Sequence, residues 1–171
     1  MSGTDNRLEI ERKFLIAKPD GEALLRLDGA DFTDITQTYL LCEPGATERV
    51  RKRGKNGRFI YTHTIKRRLS RFTHTEDETE IDEAAYEALI ARADPSRNPI
   101  SKRRYTLPRD GHVFEIDVYP FWMRQAVMEV ELSSEDESVS MPKEIRILRE
   151  VSGDRAYSNA GLALAVPAED E

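Results

Sequence analysis

Leu8-Glu9-Ile10-Glu11-Arg12-Lys13-Phe14-Leu15-Ile16 alternates with a period of two. Leu8, Ile10, Phe14 and Ile16 fall on one face of an extended chain, and Glu9, Glu11 and Lys13 fall on the other. The stretch therefore reads as a strand whose polar face carries only charge. The same composition recurs downstream. Ile65, Phe114, Ile116, Val118, Met128, Val130 and Leu132 continue the apolar parity. The opposite parity holds Arg49, Arg51 and Arg53, then Lys66 and Arg68, then Glu76, Glu78 and Glu80. It continues with Lys102 and Arg104, Glu115 and Asp117, and Glu129 and Glu131. A sheet with one wet face would mix Ser, Thr, Asn and Gln into such positions. Here the charges are segregated by sign, and like charges two apart on a strand face repel. A closed barrel with the charged face inside resolves the conflict, because basic pairs can meet a bound anion and acidic pairs can meet cations. The fold expected is α+β: a closed eight-stranded antiparallel barrel, with a polar charged interior and flanking helices over its apolar outer face. A dimer follows if that apolar surface exceeds what three short helices cover.

The chain has 171 residues, which fits one domain, here 1–171 with a core over about 8–164. Strands are expected at Thr36 to Cys42, Thr47 to Arg53, Phe59 to Leu69, Thr75 to Ile81, Ser101 to Leu107, His112 to Tyr119, Ala126 to Leu132 and Ile145 to Val151. Helices are expected from Pro19 to Leu27, after Asp82 as N-cap, and over Asp154 to Leu164. The acidic stretch Glu135 to Pro142 reads as an exposed loop. Net charge is −6 with a pI near 5.3, which argues against a nucleic-acid partner. The single cysteine, Cys42, excludes an internal disulfide and reads as a half-buried strand residue. No apolar run is long enough to span a bilayer, and the polar Met1 to Arg7 lacks a signal-peptide core, so a cytoplasmic setting without a membrane partner is expected.

Six or so basic groups around one cavity suit a polyphosphate. Arg grips two phosphoryl oxygens with a rigid fork, and Lys adds a mobile point charge. The acidic pairs suit hard divalent cations such as Mg²⁺ or Mn²⁺. No GxxxxGK[ST] loop and no GxGxxG follows a strand, and Gly54, Gly57 and Gly111 read as turn residues. His63, His74 and His112 receive no catalytic role.

The arrangement Glu9-x-Glu11-x-Lys13 resembles the opening motif of the CYTH superfamily, the triphosphate tunnel metalloenzymes. The order of later features agrees: Gln37 to Leu40 as QxYL, Arg49 with Arg51, Lys66, Glu78 with Glu80, Lys102 with Arg104, Glu115 with Asp117, and Glu129 with Glu131. Glu150, Val151, Ser152, Asp154, Tyr157, Asn159 and Leu162 are similar to the C-terminal pattern of its bacterial inorganic-triphosphatase branch, with Ser152 in place of threonine. The resemblance implies an eight-stranded tunnel and metal-dependent attack of water on a small triphosphate. It implies phosphate binding by Lys13, Arg49, Arg51, Lys66, Lys102 and Arg104, with Arg53 and Arg68 as further candidates. It implies metal binding by Glu9, Glu11, Glu129 and Glu131, a second metal near Glu11, Glu78, Glu80 or Asp117, and a catalytic set of Lys13, Glu11, Glu78 and Glu80. In that branch a C-terminal helix can close one tunnel mouth, with Tyr157 and Ser158 as contacts. Alternatives are a nucleoside or thiamine triphosphatase, a class IV-type adenylate cyclase, and a non-catalytic polyphosphate- or nucleotide-binding module.

Overall fold

A computed structural model describes residues 5–170, with side chains described from Leu8 onward. The alternating opening stretch forms β1 (Asp5–Ala17). After the short α1 (Gly21–Leu25) come β2 (Asp31–Leu40), β3 (Ala46–Lys55), β4 (Arg58–Arg68) and β5 (Thr73–Ile81). The helix α2 (Glu83–Ile90) precedes β6 (Ile100–Arg109), β7 (His112–Val118) and β8 (Gln125–Glu131). The chain ends with β9 (Ile147–Glu150), a 3-10 turn at Arg155–Tyr157 and α3 (Asn159–Leu164).

All pairings are antiparallel, in the order β5-β4-β3-β2-β6-β7-β8-β1. The long β1 closes the circle. Its first half, residues 5–10, pairs with β5, and its second half, residues 11–17, pairs with β8. Eight strands thus form the closed barrel expected from the alternation, while β9 adds to the free edge of β1 at Phe14–Ile16. Two of the hairpins turn on Asn56-Gly57 (φ 55° and 77°) and Asp110-Gly111 (φ 51° and 79°). Both central residues are left-handed, which suits the twist of paired strands. Asp82 caps α2 by accepting from the Ala85 amide at 2.7 Å.

The apolar parity does face outward, and it is covered. Phe14, Ile16, Leu107, Phe114, Ile116, Met128 and Val130 form one outer cluster under Leu24 and Leu27. Val139, Met141 and Ile145 complete that cover, so the stretch read as an exposed acidic loop sends two apolar side chains back onto the barrel. On the far wall, Leu40 and Val50 pack under Tyr86, Leu89 and Ile90 of α2. Cys42 lies beyond the end of β2 and is exposed, because the strand stops at Leu40 rather than running through Cys42. Among the described residues, no helix is long and apolar enough to cross a membrane.

A third cluster lies inside the barrel. Leu15, Tyr39, Tyr119 and Val127 share the inward parity, and at one end of the barrel they meet Trp122, Val151, Tyr157, Leu162 and Ala163. The C-terminal segment therefore plugs that end with apolar side chains. Leu162 is 2% exposed. Leu162→Ala is expected to destabilise the fold by about 2–5 kcal/mol through lost contacts and a residual cavity; urea denaturation measures it.

Candidate active site

The inward parity of the strands lines a cavity of about 760 Å³. β1 brings Glu9, Glu11 and Lys13 to its wall, β3 brings Arg49, Arg51 and Arg53, and β4 brings Lys66 and Arg68. Glu78 of β5, Arg104 of β6, Glu115 of β7, and Glu129 and Glu131 of β8 also line it. Strand register explains the close quarters: Glu11 pairs with Glu131 and Lys13 with Glu129 across β1 and β8.

Ion pairs tie opposite signs across this space. Lys66 Nζ lies 3.2 Å from Glu9 Oε2 and 3.7 Å from Glu11 Oε1. Lys13 Nζ lies 3.2 Å from Glu129 Oε1. Burial opposes charge on Lys13, but Glu129 and Glu11 raise its ammonium above the usual lysine range. Burial and the neighbouring Glu76 push the Glu9 carboxyl up. Burial, with Arg49 and Arg104 adding repulsion, pulls the Arg51 guanidinium down to about 9. Arg51 donates to Gln37 Oε1 at 3.0 Å, and Gln37 in turn donates to Tyr39. The Nε atoms of Arg49 and Arg51 are buried without a hydrogen-bond acceptor. Buried donors in that condition are costly and uncommon.

Two expected residues carry the inward parity but do not line the cavity. Lys102 and Asp117 have fully buried side chains and meet at 2.7 Å. Asp117 also accepts from Arg104 Nε at 2.7 Å and Nη2 at 2.8 Å. Burial opposes its charge, yet Arg104 and Lys102 hold the Asp117 carboxyl down at about 2. Burial pushes the Lys102 ammonium down to about 7 against the attraction of Asp117. Lys102 Nζ also donates to Asn159 Oδ1 at 3.2 Å, on the C-terminal plug. Glu80 shares the parity of Glu78 but is exposed near the end of β5 and does not line the cavity.

The plug forms one side of the cavity. Ser158 lines it, whereas the Tyr157 ring is buried against Trp122 and its carbonyl accepts from Lys13 Nζ at 3.4 Å. Arg71 donates to Ser152 O at 3.0 Å, and Arg68 donates to Gly153 O at 3.2 Å. Gly153 has φ 72°, and a Cβ there would stand 2.4 Å from Arg71 Cγ and 2.9 Å from Arg71 O. Only glycine fits that clasp. Arg97 holds the other side through Ala160 O at 2.6 Å.

Tyr39, Arg71, His74, Glu76, Arg97 and Arg155 also line the cavity without having been assigned a role from sequence. Glu76 and His74 carry the strand parity that could have marked them. Arg71 and Arg97 lie on connections, where no period exists to read, and Arg155 lies in the short 3-10 turn.

The described residues include no group of three His, Cys, Asp or Glu side chains able to hold a metal ion as they stand. The donor chemistry nevertheless fits a hard cation. Glu9, Glu11, Glu129 and Glu131 all line one cavity, and Glu9 Oε2 is buried without a hydrogen bond. Carboxylate sites of this kind are commonly completed by water and substrate phosphates.

No family model matches the chain. It is 34% identical over 163 residues to an inorganic triphosphatase of Nitrosomonas europaea, covering 93% of this chain and 99% of that one. The chain belongs to the CYTH superfamily of triphosphate tunnel metalloenzymes, in its inorganic-triphosphatase-like branch. A solved structure of an inorganic triphosphatase aligns with this CYTH chain at a TM-score of 0.57 and 31% identity, over 94% of this chain and 97% of that one. A Pyrococcus horikoshii protein aligns at a TM-score of 0.55 and 26% identity, over 75% and 81% of the two chains. The tunnel expected of a CYTH protein is the barrel described above. Family membership carries a divalent-metal requirement, which the inward carboxylates are suited to meet.

Proposed function

We propose that the chain hydrolyses inorganic triphosphate with a divalent cation, Mg²⁺ or Mn²⁺, inside the barrel. The observation that carries this reading is the pair of buried guanidiniums, Arg49 and Arg51, whose Nε atoms lack acceptors within a cavity that also holds a carboxylate cluster. Phosphoryl oxygens are strong acceptors for such forks. Lys13, Lys66, Arg53, Arg68 and Arg104 supply further positive charge around the same space. In this reading Lys102 acts through a neighbour, sharing Asp117 with Arg104 and so fixing where the Arg104 fork points.

Glu9, Glu11, Glu129 and Glu131 would hold the cation, with Glu78 nearby. When bound, a divalent cation neutralises phosphate charge and lowers the pKa of a coordinated water. Lys13 is tied to Glu129 and to the plug, so its ammonium stands ready to orient a phosphoryl oxygen. Phosphoryl transfer asks mainly for positioning and fixed opposite charge, which this lattice provides. Glu115 faces the cavity and accepts a hydrogen bond from Arg104.

The test is phosphate release from inorganic triphosphate, ATP and thiamine triphosphate, each with Mg²⁺, with Mn²⁺ and with chelator. Turnover of inorganic triphosphate that stops with chelator is expected. Tight triphosphate binding with no turnover would replace the enzyme by a binding module. Cyclic AMP and pyrophosphate from ATP would replace it by a cyclase. A cavity of about 760 Å³ has room for an organic group on the triphosphate, which makes the two organic substrates informative arms rather than controls. Glu129→Gln is expected to lower activity by roughly tenfold or more, partly recovered at high Mn²⁺. An unaltered rate and an unaltered metal response would remove Glu129 from the cation site.

A further inference from the structure

β5 places an imidazole where the carboxylate chemistry above has no use for one. His74 is the direct partner of Glu9 in the antiparallel pairing of β1 with β5. Directly paired residues on one face stand about 4.5–5.5 Å apart at Cβ, within reach of a shared ligand. Both side chains line the barrel cavity. His74 Nδ1 is buried without a hydrogen-bond partner, and so is Glu9 Oε2. Glu9 Oε2 does have a cation nearby, Lys66 Nζ at 3.2 Å, but no hydrogen bond is made. His74 thus leaves a buried nitrogen without a partner, and facing it is a buried carboxylate oxygen held by an ion pair alone. The other two histidines are committed elsewhere: His63 to Glu48 at 2.8 Å and His112 to Glu137 at 3.0 Å.

Surrounding charge narrows what can meet that nitrogen. Facing His74 are Lys66 and Arg68 on β4, Glu11 and Lys13 on β1, and Glu76 on its own strand. The carboxylates Glu9, Glu11 and Glu76 favour a cation beside the imidazole, and phosphoryl oxygens bound alongside it would engage Lys66, Lys13 and Arg68. A divalent cation beside the Glu9 carboxylate would give the unpartnered imidazole nitrogen its missing contact. Nitrogen donors discriminate among cations: imidazole is a ligand for transition ions, most strongly the later ones and more weakly Mn²⁺, whereas Mg²⁺ and Ca²⁺ take oxygen.

We infer that His74 is a nitrogen ligand beside Glu9 that biases the tunnel cation toward Mn²⁺ and other transition ions over Mg²⁺. The inference rests on the reading of the cavity as a metal-dependent phosphate site. Waters and phosphate oxygens complete the coordination.

The experiment uses pulsed EPR of the whole chain loaded with one equivalent of Mn²⁺ and a methylene-bridged triphosphate analogue, which contains no nitrogen. Modulation from a ¹⁴N nucleus coupled to Mn²⁺ is expected, changing to the ¹⁵N pattern in protein labelled at histidine, and absent from His74→Ala. Calorimetry of the same proteins is expected to show Mn²⁺ affinity falling roughly tenfold in His74→Ala with little change for Mg²⁺. Should His74→Ala fold poorly by circular dichroism, His74→Gln, which retains a polar side chain without imidazole nitrogen, serves in its place. Mn²⁺ bound without nitrogen modulation overturns the inference and leaves the metal-dependent reading intact, as does modulation that persists in the variant. Failure of Mn²⁺ to bind the protein at all overturns both.

Discussion

Asp117→Ala is expected to destabilise the fold by about 3–5 kcal/mol, the cost of leaving buried charge without its partner. Asp117 is fully buried and supplies both oxygens to Arg104 and Lys102. Its removal leaves the buried Lys102 and the cavity-lining Arg104 without this partner, with Asn159 and Glu115 as their remaining hydrogen-bond acceptors. For a chain of this size the expected loss corresponds to roughly 10 °C in melting temperature. Asp34→Ala is the control: it breaks a pair with Arg103 in which both side chains are 46% exposed, so a change within about 1 kcal/mol is expected. The pH dependence has a defined sign. The folded Asp117 carboxyl titrates at about 2, below an unfolded aspartate. Its stabilisation is therefore complete above about pH 4 and is lost as pH falls through about 2. The difference between wild type and Asp117→Ala should narrow over that window. Equal stability of the two proteins at pH 7 would mean that Lys102 and Arg104 do not depend on this carboxylate.

Arg51→Ala is expected to behave in the opposite way. Its guanidinium is buried beside Arg49 and Arg104, with one hydrogen bond, to Gln37. Loss of that bond costs about 1 kcal/mol, and relief of like-charge repulsion offsets it, so the ligand-free protein should melt nearly as before. Triphosphate turnover should fall by roughly 10²–10³ in kcat/KM, the usual consequence of removing a fixed donor from developing charge. Thermal protection by added triphosphate should fall with it. A variant with wild-type kinetics would place the phosphates elsewhere. Together the two substitutions separate the charges that hold the barrel from those reserved for a ligand.

The period of two was enough to reveal the barrel because it recurs in strand after strand and the charged face would be untenable in the open. The same period sorted Glu9, Glu11, Lys13, Arg49, Arg51, Lys66 and Glu129 onto the inner wall. It says nothing about depth along the barrel axis or about neighbours. Lys102 and Asp117 have the correct parity, yet they pair with each other and do not line the cavity, and Glu80 has it but lies exposed near the end of its strand. Both outcomes depend on strand stagger, which alternation does not encode. The cover formed by Val139 and Met141 was hidden by the acidic residues around them, since two isolated apolar positions set no period. Arg71 and Arg97 were invisible for the same reason: each acts from a loop, through carbonyls of the plug. Gln37 could be seen only as part of a motif, because its task of holding Arg51 depends on the pairing of Gln37 with Arg51 across β2 and β3.

The central claim is that opposed charges inside the barrel are reconciled by a phosphate chain and a cation. A crystal structure with Mn²⁺ and the methylene-bridged triphosphate analogue tests it most directly, using anomalous scattering to locate the metal. Phosphoryl oxygens within hydrogen-bond distance of Arg49 and Arg51 are expected, with a manganese peak among Glu9, Glu11, Glu129 and Glu131. An analogue bound outside the barrel, or a cavity whose lysine–glutamate pairs persist with neither ligand between them, would contradict it.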